Sequence, residues 1–202
     1  MTPSWPRWCR SIPPASGPTS TRLARAPRTA QGALSNYTNL ADEPADHALG
    51  RSRGGWTTKI HALIDAHCAP LLVTLTAGQA GDNPQLQPLL MRHIGDGARD
   101  FRLLADKAYS HDSTRAYLRR RRIAHTIPER SDQIARRKAK GPQGGRPPGF
   151  DPGRYRHRNG IERGFNRLKH WRGIATRYDK YALTFLGGVT LAAAITHHRV
   201  RN

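Results

Sequence analysis

Five residues of this chain have the types and spacing to do chemistry together: Asp106, and the series Tyr155, Arg158, Glu162 and Lys169. Steps of three, four and seven residues, at about 100° per residue of α-helix, keep the last four within roughly 60° of one another. One carboxylate is thereby aligned with two cations and a phenol. A phosphodiester held beside a divalent metal calls for such a stripe: the carboxylate ligates the metal, and Arg, Lys and Tyr hold phosphate oxygens. Asp106 ends the apolar run Leu103-Leu104-Ala105, a strand-end position where side chains of neighbouring elements converge. By position alone it reads as a cap of the loop that follows. Taken with Glu162 it becomes half of a shared metal site, because phosphoryl transfer needs carboxylates to fix Mg²⁺ (or Mn²⁺) against the reacting oxygens.

The elements around these residues set the fold class. Trp56 to Asp65 and Pro70 to Thr76 are β-branched and apolar and are joined by the polar turn Ala66-His67-Cys68-Ala69, which predicts a hairpin. Asp82 is placed to cap a helix running to Ile94, with Pro84 allowed in the first turn. Phe101 to Ala105 forms a buried strand, Asp112 or Ser113 caps a second helix, and Ile123 to Pro128 gives another short strand. Residues 131–149 are a cationic insertion, read as a mobile loop, after which Asp151 and Pro152 open the long helix that carries the stripe. This order predicts an α/β mixed sheet flanked by helices. Residues 1–41 hold no Asp or Glu, six Pro and five Arg, and read as a poorly ordered basic arm before one domain over 42–202.

With 202 residues there is room for one sizeable core. The 34 Lys and Arg against 14 Asp and Glu, a formal +20 spread along the chain, call for a polyanionic partner. Two cysteines without a Cys-x-x-Cys pair support neither a disulfide framework nor a cysteine zinc site. The longest apolar run, Leu183 to Ile195, falls short of the roughly 20 residues that span a bilayer, and no signal-peptide core follows Met1, so a cytoplasmic, nucleoid-associated protein is expected. His61, His67 and Cys68 have no evident fourth ligand, and alternating residues on one strand face opposite ways, which argues against a metal cluster. Trp171 and Tyr178 read first as residues packing the helix onto the sheet, and His197 and His198 as tail. The arginines at 119–122 and 136–137, with Lys138, are either a solvated face or a track for phosphates.

Three runs in order, Glu43 to Gly55, Leu104-Ala105-Asp106-Lys107-Ala108-Tyr109, and the Y-x2-R-x3-E-x6-K stripe, resemble bacterial insertion-sequence DDE transposases of the Y-R-E-K class. The resemblance implies a ribonuclease-H-like fold, metal-dependent cleavage at element ends and joining to target DNA. Asp106 and Glu162 would be the second and third acids of its triad, with Tyr155, Arg158 and Lys169 on DNA. The partners implied are double-stranded DNA, with a homodimer on DNA allowed and no membrane. The family places its first acid on the first strand in an Asp-(Ser/Gly)-Thr motif, and the nearest local likeness, Thr19-Ser20-Thr21-Arg22, contains no Asp. Asp65 is the only nearby strand carboxylate, and a hairpin-turn position fits it better. A truncated or frame-disrupted transposase is therefore expected. Its competitors are a catalytically inactive DNA-binding remnant and a basic RNA-binding protein, the latter needing no carboxylate in its cationic helix.

Overall fold

The computed structural model describes residues 7–12, 43–94 and 101–201. Strand β1 (Arg7–Ile12) is followed by β2 (Gly50–Ser52), β3 (Gly55–Ile64), β4 (Pro70–Ala77), α1 (Asn83–Ile94) and β5 (Arg102–Ala105). Then come α2 (Asp112–Arg120), β6 (Ala124–Thr126), α3 (Ser131–Ala139), α4 (Pro152–Arg156), α5 (Asn159–Lys169), α6 (Arg172–Ala175) and α7 (Ala182–Arg201). The main sheet runs β4-β3-β1-β5-β6. β4, β3 and β1 are antiparallel neighbours, and β5 and β6 continue in parallel from β1. Short β2 pairs with the start of β3.

Strand periodicity sorts the apolar side chains into two layers. Ile60, Ala62, Ile64 and Leu104 pack against Ile161, Phe165 and Leu168 of α5 and against Phe185 and Val189 of α7. On the other face Leu63, Leu103 and Ala105 meet Leu86, Leu89 and Leu90 of α1 and Tyr117 and Leu118 of α2. The expected mixed sheet sandwiched by helices is what forms.

Several local expectations shift. No strand is legible within residues 1–41, yet Arg7–Ile12 lies in the middle of the sheet, with Trp8 in register with Ile64 on one side and Leu104 on the other. The rest of that segment, Thr19-Ser20-Thr21-Arg22 included, is outside the described residues. The insertion is not a loop: Ser131–Ala139 is helical, entered through Arg130, whose backbone N–H donates to Gln133 Oε1 at 3.1 Å. Helix α2 is preceded by His111, which makes no side-chain cap, so neither Asp112 nor Ser113 is the cap. Trp171 and Tyr178 are 41% and 56% exposed and so do not serve as core. His197 and His198 belong to α7. Among the described residues no helix is long and apolar enough to cross a membrane.

The first of the three runs, beginning at Glu43, acts at long range. Glu43 accepts the backbone N–H groups of Ala182 (2.8 Å) and Leu183 (3.0 Å) and pairs with His47 at 2.9 Å, so it caps α7. Those groups offset the cost of its burial and hold its pKa below the usual carboxylate value. Arg177, itself buried, bonds Thr58 Oγ1 and the carbonyls of Asp179 and Lys180 and stacks over Phe185. The chain between α6 and α7 is thus clasped to β3.

Candidate metal and nucleic-acid site

Asp106 follows β5 in extended conformation, so it continues the strand's alternation and shares Leu104's side of the sheet, the side covered by α5. Its Oδ1 accepts Lys107 N–H at 2.6 Å, capping a short 3₁₀ turn, Lys107–Tyr109. The capping role expected from position is therefore present, and Oδ2 remains for another partner. That partner is Arg158, whose Nη1 lies 3.7 Å away.

The stripe is broken into two helices. Asp151 caps α4 by accepting Arg154 N–H, with Pro152 in the first turn, as the sequence predicts. Arg158 N–H then bonds Tyr155 O and Ile161 N–H bonds Arg158 O, three-residue spacings that tighten the junction before α5. Tyr155 accordingly sits on α4, Arg158 at the junction, and Glu162 and Lys169 on α5. All four remain half-buried, beside the buried stripe of Ile161, Gly164, Phe165 and Leu168.

Arg158 is the centre of this arrangement. Its Nη2 lies 3.6 Å from Glu162 Oε1, so a single guanidinium joins Glu162 to Asp106. Its Cζ stands 5.5 Å from the centroid of the Tyr155 ring, a cation–π contact. Phe150, not singled out from sequence, packs at 5.2 Å on Tyr155. The signal was available: an apolar residue just before an N-cap staples to the fourth helical position, here Tyr155. Lys169 lies about two turns beyond Glu162 and is not part of the bridge. Four of the five sequence candidates are thus brought together.

Other candidate carboxylates and ligands do not join them. Asp65 Oδ1 accepts the N–H groups of His67 and Ala69, both at 2.9 Å, which makes it a hairpin-turn residue as expected. His61 is fully buried against Thr76 Oγ1 at 2.7 Å, and desolvation pushes its pKa down to about 4. Among the described residues no group of three or more His, Cys, Asp or Glu could hold a metal. The strand beside β5 is β1, whose sequence Arg-Trp-Cys-Arg-Ser-Ile has no carboxylate.

A sheet of three antiparallel strands extended by two parallel ones, with an Asp at the end of the first parallel partner and a Glu on the covering helix, defines the ribonuclease-H-like class. Residues 24–196 match the model of the transposase DDE domain, and the chain belongs to that family. It is 37% identical over 139 residues to a Brucella ovis protein named "Putative transposase for insertion sequence element IS6501", covering 69% of this chain and 96% of that relative. The matched stretch contains Asp106 and the whole stripe and begins downstream of β1. Divalent metal ions are typical of such domains. Two carboxylates bridged by a guanidinium do not fit a two-metal centre, because the cation between them is already Arg158 and no third acid joins them among the described residues.

Proposed function

We propose that this chain is a transposase-family protein that binds double-stranded DNA and, by itself, does not cleave it. The observation that carries this reading is the Asp106–Arg158–Glu162 bridge beside an acid-free strand. A neutral or cationic strand cannot supply the carboxylate needed to hold a second divalent ion against a phosphodiester. The cationic half of the stripe supports the binding: Tyr155, Arg158 and Lys169 are each half-buried and would hold DNA at element ends. The formal charge of +20 adds sequence-independent attraction to the duplex.

A second reading is Mg²⁺-dependent cleavage and strand transfer, with Asp106 and Glu162 as metal ligands. It is favoured by the convergence of these two acids from β5 and α5 on one point. One assay separates the readings: strand cleavage and joining on a labelled element end with Mg²⁺ or Mn²⁺, beside Asp106→Asn and Glu162→Gln. Binding without any product supports the first. Product that disappears in both variants replaces it with the second.

A further inference from the structure

On the opposite side of the domain from α5, helix α2, the segment after β6 and helix α3 enclose a cavity of about 290 Å³. None of Asp106, Tyr155, Arg158, Glu162 or Lys169 lines it. Six cations do: Arg115, Arg119, Arg136, Arg137, Lys140 and Arg146. Two carboxylates, Asp112 and Glu129, also line it. Glu129 is occupied by Arg137, whose Nη2 and Nε lie 2.8 and 3.3 Å from its two oxygens. The wall is strongly cationic even after both acids are counted.

Two buried groups on this wall lack partners, and both are donors. Arg115 is 4% exposed; its Nη2 donates to the carbonyls of Ile127 (2.9 Å) and Pro128 (3.4 Å), while Nη1 has no hydrogen-bond partner. Ser110 is fully buried, its carbonyl accepts Gln133 Nε2 at 3.0 Å, and its Oγ also has no partner. Buried donors without acceptors are rare, and a cavity that collects two of them among cations is complementary to an anion with several acceptor oxygens. The Arg115 fork is fixed by backbone carbonyls, so it is oriented before any ligand arrives. A second cleft of about 410 Å³ shares Arg115, Arg119 and Pro148 and extends the basic surface to Arg122.

We propose that this cavity is a phosphate-binding site, separate from the carboxylate pair, that takes a phosphate group of a nucleic-acid backbone. The proposal rests on the DNA-binding reading for the source of the phosphate, and on the cavity alone for the phosphate chemistry. The insertion helix α3 is the element that closes it, supplying Arg136 and Arg137. A duplex held at the Arg158 stripe and a phosphate held here would place DNA contacts on two surfaces of one domain.

The test has two arms on the full chain. In the first, thermal unfolding is followed with inorganic phosphate against chloride at matched ionic strength. Phosphate raises the melting temperature of the wild type, and Arg119→Gln/Arg136→Gln/Lys140→Gln, three exposed positions on the rim, abolishes the rise. In the second, duplex affinity is measured against salt. The rim variant lowers the slope of log K on log salt by about 2 to 3, whereas Arg51→Gln/Arg92→Gln/Arg172→Gln, equal in charge and outside the cavity, lowers it by less than about 1. A chain that is stabilised by phosphate but binds no duplex keeps the site and rejects DNA as the source. No phosphate effect, or a rise that survives in the rim variant, overturns the site, and equal loss of slope in both variants rejects DNA as the source.

Discussion

Removing both acids of the bridge should tighten DNA binding, a sign opposite to that expected of a metal-dependent nuclease. In Asp106→Asn/Glu162→Gln the guanidinium of Arg158 loses ion pairs of 3.7 and 3.6 Å and becomes available to phosphate. The side chains of Asp106, Arg158 and Glu162 are 29%, 20% and 47% exposed, so water screens each pair, and about 0.5 kcal/mol apiece is the appropriate scale. Releasing both corresponds to about 1 kcal/mol, or roughly fivefold in affinity. Loss of two negative charges beside phosphate acts in the same direction. Fluorescence anisotropy of a labelled duplex in EDTA reads this directly, and Arg158→Met in the same titration should lower the salt slope by about 1. Repeating the titration with millimolar Mg²⁺ supplies the decisive comparison. If Mg²⁺ tightens the wild type and leaves the double variant unchanged, the acids hold a metal on DNA and the bridge is not the functional state. Weaker binding by the double variant in EDTA would equally refute the reasoning.

Three further outcomes concern the scaffold. His61 is buried with a pKa near 4 against an ordinary 6.5, set first by desolvation and then by Lys59, with Asp82 acting the other way. Between those values the unfolded chain binds a proton that the folded chain does not. Stability is therefore full above about pH 6.5 and falls as pH drops toward 4, by about 2 kcal/mol from pH 7 to pH 5, and His61→Gln should flatten that part of the urea-midpoint profile. Gly164→Ala places a Cβ 2.8 Å from Ile64 Cδ1 and 3.1 Å from Cys68 O; the forced shift of α5 should cost about 1–3 kcal/mol in denaturant titration. Glu43→Gln keeps an acceptor but removes the charge at the start of α7, and should cost about 1–2 kcal/mol by the same measurement.

The parts of this fold that are legible in sequence are those decided locally. The β3–β4 hairpin follows from alternating β-branched residues around a polar turn whose Asp65 bonds two backbone N–H groups within four residues. The α4 start follows from Asp151 and Pro152. β1 is not legible because its six residues carry no clear period; pairing with Ile60–Ile64 and Leu103–Ala105 makes it a strand, and those partners lie some 50 to 95 residues away. The role of Glu43 is hidden for the same reason, since the helix it caps begins 139 residues later. For the site, helical spacing brought Tyr155, Arg158 and Glu162 together although a tightened junction divides the stripe between α4 and α5, and Lys169 lies beyond the bridge. It could not reveal that Arg158, placed between two acids, would pair with both.

On the proposed reading, that pairing also bears on how such a domain keeps its fold with two acids at the described site. Clustered carboxylates repel one another and are costly to desolvate, so an active site of three acids lowers the stability of the fold that carries it. Here the supports of Asp106 and Glu162 lie elsewhere: Leu104 and Ala105 are buried in β5, and α5 is held through Ile161, Phe165 and Leu168. The α7 clasp through Glu43 and Arg177 involves neither acid. With the repulsion between two acids offset by one guanidinium and no acid supplied by β1, the centre imposes little strain on the sheet. On the proposed reading a folded, DNA-binding domain outlasts the loss of cleavage, because the residues that hold the sheet and the residues that would hold the metal are almost entirely different sets.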